Sequence, residues 1–195
     1  MKISALTTTR RGRVLLATVP TLAALGMIGG GVAQGAVPVS FAVSGQQFKI
    51  AATKLEGTGF SQYAGIATAQ DGTEHPAAIA NIADARLYDL CQSVVVPGGK
   101  VGLKITAGGG DQPVTATDLQ IGMDNLQGTA RFDQIRIGVD ASTVNTTPKG
   151  SAGDFAMDSD SIVIDDLKQV SWSTQAAVFQ LNGLKLEVTQ GEECF

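Results

Sequence analysis

Residues 177–188 read AVFQLNGLKLEV, and this stretch decides the fold class. Asn182-Gly183 is a favoured two-residue hairpin turn, because both positions tolerate positive φ. Folding there sets Leu181 opposite Leu184, Phe179 opposite Leu186 and Ala177 opposite Val188, all on one face. Gln180, Lys185 and Glu187 take the other face. The expected unit is an antiparallel hairpin whose apolar side turns to a core.

The same period-two alternation recurs upstream. Val39, Phe41 and Val43 alternate before Ser44-Gly45, and Phe48, Ile50 and Ala52 follow it. Val101, Leu103 and Ile105 form a stripe, as do Leu119, Ile121 and Met123, and Ile135, Ile137 and Val139. Ile162 and Ile164 precede Asp165-Asp166. Pro76 to Leu90 reads either as an Ala-rich helix or as two short strands leading into Cys91; the strand reading is preferred. Residues 106–117 and 141–160 are Gly-, Ser-, Thr- and Asp-rich and read as loops. A weak echo links KLEGTGF (residues 54–60), NLQGTARF (125–132) and DLKQVS (166–171), read as recurrent strand–turn–strand units. Gly numbers 24 and aromatics make up 5%, which argues against long helices. The expected fold class is all-β: antiparallel strands in a curved sheet, sandwich or groove, after an N-terminal signal helix.

The length of 195 residues suits one domain. Residues 1–35 read as an export signal, with an uncut membrane anchor as the alternative, and residues 36–195 as a single β-rich domain. Lys2, Arg10, Arg11 and Arg13 precede an uncharged, mostly apolar run from Val14 to Val32, and small residues follow it. Cleavage after Ala33, Gly35 or Ala36 is consistent with small-residue peptidase pockets. Arg10-Arg11 loosely suggests the twin-arginine route, although Arg13 stands where an apolar residue is preferred. Without the signal, 10 cations face 18 anions, a balance of −8. Such a surface repels phosphate backbones, so no nucleic-acid partner is expected.

The chain has two cysteines, Cys91 and Cys194. In an exported chain they are expected to pair, the rivals being two buried thiols or a metal pair. The single histidine, His75, lies in DGTEHP and reads as a solvated turn residue. A serine hydrolase needs a His beside its Ser and an acid to orient it. No Gly-x-Ser-x-Gly elbow exists, and Gly150-Ser151-Ala152-Gly153 only approaches it. Asp154, Asp158, Asp160, Asp165 and Asp166 read as a solvated acidic loop rather than a calcium site, for they lack the twelve-residue pattern. Asn145-Thr146-Thr147 is a formal glycosylation sequon. Catalytic, metal and cofactor-binding residues are therefore none, and no cofactor is expected. Trp172, placed on a strand, is either core filling or a ligand-stacking aromatic.

Four segments carry a resemblance: SFAVSGQQFK (40–49), LEGTGF (55–60), LYDLCQSV (87–94) and the final Cys194-Phe195. They resemble an exported actinobacterial, Streptomyces-type family of unknown function, often labelled "cholesterol esterase". The resemblance implies export to a Gram-positive envelope or medium, supports the Cys91–Cys194 pairing and suggests a membrane-protein partner. It carries no catalytic residue to this chain. The leading functional expectation is a non-enzymatic envelope protein that binds a lipid or other apolar small molecule. The alternative is a structural or surface-interaction protein, and the esterase stands behind both.

Overall fold

A computed structural model describes residues 40–195, with side chains from Ser44 onward. The expected signal or anchor at 1–35 lies outside the described residues. The strands are β1 (Ser40–Val43), β2 (Phe48–Ala69), β3 (Glu74–Tyr88), β4 (Leu90–Val95), β5 (Gly102–Ala107), β6 (Val114–Asp133), β7 (Arg136–Asp140), β8 (Phe155–Gln175), β9 (Val178–Gln180) and β10 (Lys185–Thr189). The fold is all-β, and its one helical element among the described residues is a single 3₁₀ turn at Ala141–Thr143.

Four long strands make the frame. β2 pairs antiparallel with β3, β3 with β6, β6 with β8, and β8 returns to β2, so the sheet closes on itself. Leu55, Phe60, Ile82, Leu119, Ile121, Ile162, Ile164 and Leu167 fill the interior, and each is nearly inaccessible. Packing is close: only about 50 Å³ is left beside Leu55, Phe60 and Ile121. A second cluster lies on the opposite side of the sheet, where Tyr63, Ala67, Ile79 and Ala156 meet Ala141 and Val144 of the 141–154 loop.

Most polar side chains buried under that loop are paired, as burial favours, while the Tyr63 hydroxyl has no partner among the described residues. Ser61 Oγ bonds Thr146 Oγ1 and accepts from Asn81 Nδ2 at 3.2 Å, while Asn81 Oδ1 accepts from Gln120 Nε2 at 2.8 Å. Asp140 holds the loop ends by accepting from Ser142 N at 2.9 Å and Gly153 N at 2.8 Å.

Beyond the ring, the chain bends at Asp89 (φ 49°) from β3 into β4. Thr53 Oγ1 donates to the Asp89 carboxylate at 2.9 Å and fixes the bend. β4 pairs with the first residues of β2 and then with β5, and β5 with β10, which forms a three-stranded wing. The wing has two unlike faces. On one, Cys91 is bonded to Cys194 with Cα atoms 5.9 Å apart, and Ser93 Oγ accepts from Cys194 N at 3.0 Å. Lys49 Nζ donates to Glu193 at 2.7 Å and to the Phe195 carbonyl at 2.9 Å, and sits 5.2 Å from the Phe195 ring centroid. The C-terminal tail thus lies clasped over that face. A cross-link between residues 103 apart stabilises by about 4–5 kcal/mol in the chain-entropy account.

Several sequence expectations are corrected. Asn182-Gly183 does form a turn, but it joins strands that do not pair with each other: β9 pairs with β6 and β10 with β5. The Leu184, Leu186 and Val188 stripe is therefore open, with Leu186 58% and Val188 71% exposed. Leu103 and Ile137 are likewise exposed, at 40% and 67%, because the wing and β7 have no layer over those faces. Pro76 to Leu90 is not helix, nor two short strands, but most of β3 followed by the bend. The expected loops are shorter, since β6 starts at Val114 and β8 at Phe155. The echoed segments hold no turns. They lie inside β2, β6 and β8, where 125–127 and 168–170 face each other across the β6–β8 pair, and the positive-φ residues Gly59, Gly128 and Asp166 kink the strands without ending them.

Gly57 shows how tight the ring is. A Cβ there falls 2.6 Å from Ile82 Cγ2 and 3.1 Å from Ile162 Cγ2, and both neighbours are stiff at χ1. Gly57→Ala is expected to lower unfolding free energy by about 1–3 kcal/mol through overpacking. Urea denaturation checks this, and the neutral change expected at an uncrowded site contradicts it.

Candidate functional site

The ring and the wing part company at the start of β2. Pairing of β2 with β8 ends at Phe48–Ser171, while β8 continues along β6 to Gln175. β4 leaves on the other side of β2, where Gln92 faces Ile50. A cleft of about 500 Å³ opens between them, lined by Phe48, Gln92, Trp172, Ala176, Phe179 and Leu181 among others. Phe48, Ala176 and Leu181 lean on the ring core, and Trp172 leans on the second cluster. The walls are evenly mixed: Phe48, Trp172, Ala176, Phe179 and Leu181 are apolar, and Ser44, Gln92, Ser173, Thr174 and Gln175 are polar.

Trp172 lies on β8 as expected, at the seam of the two clusters. His75 does not lie in a solvated turn. It is on β3, half-buried, with its ring stacked on Trp172 at 3.9 Å between centroids and 16° between planes. Among the described residues His75 makes no side-chain hydrogen bond, so neither a serine nor a carboxylate orients it as a hydrolase base requires. Its contact holds one ring face against the indole.

Gln92 joins the cleft to the open face of the wing. It stands in register with Ile105 and, through it, with Leu186; Val94, Leu103 and Val188 form the next row. This face is the one that the clasped tail leaves uncovered. A different concavity, about 590 Å³, is lined by all four ring strands: Glu56, Asp84, Arg86, Thr115 and Ser161 supply polar groups, and Gly57 and the core residues Ala85, Ala116 and Ile162 supply an apolar floor.

The acidic run is not a loop. Asp158, Asp160, Asp165 and Asp166 all lie on β8, and Asp158 is fully buried. Its carboxylate accepts from Arg136 Nε at 2.8 Å, Arg136 Nη2 at 2.5 Å and Asn145 N at 2.8 Å, tying β7 and the 141–154 loop to the frame. Among the described residues no three His, Cys, Asp or Glu side chains come together as metal ligands. The sequon residue Asn145 donates its side-chain amide to Ser159 O at 2.9 Å.

The sequence pointed to Trp172 but not to Phe48, Gln92, Phe179 or Leu181 as its neighbours. One signal was present: Ala176-Ala177-Val178-Phe179 is apolar without alternation, which a hairpin with one wet face does not require.

Fold and site together define an all-β, disulfide-clasped protein with a cleft of mixed apolar and polar lining around Trp172. The chain belongs to a family of unknown function, DUF6230, whose model matches residues 44–195. Searches of curated proteins and of solved structures find no match.

Asp158 sets an expected acid limb of stability. Hydrogen bonds from Arg136, opposed by burial and helped by Asn145 N and the Arg136 and Lys149 charges, hold its carboxyl below the ordinary carboxylate range. The folded value lies below the unfolded one, about 3.9. This contribution is therefore complete above that value and is lost as pH falls through the folded one. Asp158→Asn is expected to cost about 1–3 kcal/mol at neutral pH and to flatten that limb, as followed by urea midpoints against pH.

Proposed function

We propose that this is an exported, non-enzymatic protein of the cell envelope that takes up a lipid or other apolar small molecule in the Trp172 cleft. The observation that carries the reading is the cleft itself: Phe48, Trp172, Ala176, Phe179 and Leu181 gather among polar groups at the seam of two cores, and Gln92 links them to an uncovered apolar sheet face. The ring interior is too full to hold such a ligand, so binding is at the seam. Trp172 is then a ligand contact as well as a packing residue. Export is supported by the basic and then apolar N-terminus, and by the likeness to exported actinobacterial proteins. The esterase label carried by such proteins gains no support from His75.

A specific observation also favours the structural or surface-interaction reading. The exposed row of Leu103 and Val188 suits contact with a membrane protein of the envelope.

Trp172 is the chain's only tryptophan, so its emission reports on the cleft alone. Delipidated mature protein titrated with oleate is expected to show a saturable shift in emission, lost in Phe179→Asp while the β-type circular dichroism persists. No saturable change in the wild-type protein rejects the reading. Export has its own check: intact mass of the secreted product is expected to begin after Ala33, Gly35 or Ala36.

A further inference from the structure

β10 is the last strand of the wing, and its described partner is β5 alone. Among the described residues no other strand pairs with its outer edge. Natural edges are blunted by short length, charged side chains, proline, bulges or a covering segment, and the two charges of this five-residue strand, Lys185 and Glu187, are opposite in sign and paired with each other. Residues 185–189 contain no proline, and the β10–β5 register runs without a shift. The C-terminal tail turns away from this edge, running past Gly99 and Ser93 on the clasped face.

We propose that β10 pairs antiparallel with β10 of a second copy of this chain, about a two-fold axis through Leu186. The order of side chains along LKLEV, residues 184–188, is self-complementary only in that register. Leu186 stands opposite Leu186 of the second copy. Leu184 stands opposite Val188, and Lys185 opposite Glu187, each twice by symmetry. Centring on Lys185 or Glu187 sets like charges against each other. Centring between residues puts the apolar face of one copy beside the polar face of the other. Centring on Leu184 or Val188 loses the Lys–Glu pairs. Within one chain Lys185 and Glu187 already lie on one face, 2.9 Å apart, ready to exchange partners.

The resulting contact is isologous and closed, so it stops at two copies. It unites two wings into one sheet with a continuous apolar face, and leaves both clefts and both clasps untouched. Backbone hydrogen bonds and apolar cross-strand pairs supply the affinity, while the charges fix register and direction. The inference stands apart from ligand binding and is tested without any lipid.

Sedimentation of delipidated mature protein over a concentration series is expected to show a monomer–dimer equilibrium. Lys185→Glu sets Glu against Glu, and Glu187→Lys sets Lys against Lys. Each is expected to weaken dimerisation roughly tenfold or more, the equivalent of about 1.4 kcal/mol. An equimolar mixture of the two variants is expected to recover dimer, because each then meets its opposite charge. The double variant K185E/E187K is expected to dimerise as the wild type does. A wild-type protein that is monomeric throughout, single variants as dimeric as wild type, a mixture that stays monomeric, or growth beyond two copies overturns the proposal. The oleate titration is unaffected by any of these outcomes, so the two ideas fail separately.

Discussion

The return of β8 to β2 is the contact on which the rest depends. Without it, β2, β3, β6 and β8 form an open sheet with Leu55, Ile162 and Ile164 exposed along its margin. With it, those side chains are enclosed, and a chain poor in aromatics obtains a core from medium-sized aliphatic residues packed at short range. The closure also limits itself. It requires small residues where strands approach, hence Gly57 against Ile82 and Ile162. It ends at Phe48–Ser171, where β2 must serve both β8 and the departing β4. The cleft is the geometric remainder of that divided duty.

The wing is held by different physics. It buries little apolar area of its own, since its open face is in solvent. A covalent link from Cys91 to the chain end, the Lys49 contacts and the tail packed over one face replace a core there. That arrangement explains how a sheet can carry Leu103, Leu186 and Val188 outward and still be ordered. Stability comes from the clasped face, and the other face is left free for use.

Period-two alternation made the strands legible, because a half-buried strand imposes it on the residues themselves. Partner choice was not legible. The Asn182-Gly183 turn satisfies every local rule for a hairpin, yet β6 and β5 offer edges to β9 and β10, and nothing in AVFQLNGLKLEV records them. Strand length was hidden for a related reason. In β2 the buried positions pass from Leu55 and Gly57 to Phe60 across Gly59, whose positive φ turns the following residues to the other face. Read as alternation, such a strand looks like two strands and a turn. The site was legible only as Trp172; His75, Phe48, Gln92 and Phe179 reach it through long-range register.

His75 and Trp172 make the clearest argument about what kind of molecule this is. A histidine used in catalysis needs a hydrogen-bonded partner that fixes its tautomer and a path for its proton. Here the imidazole lies flat on an indole and completes an apolar seam. Two cysteines are spent in a clasp, and the buried Asp158 is spent on Arg136. His75, Cys91, Cys194 and Asp158 all take part in holding the frame in shape. Beside them lies accessible surface: a cleft in which Phe48, Trp172, Phe179 and Leu181 stand among polar side chains, and the open sheet face that Gln92 joins to it.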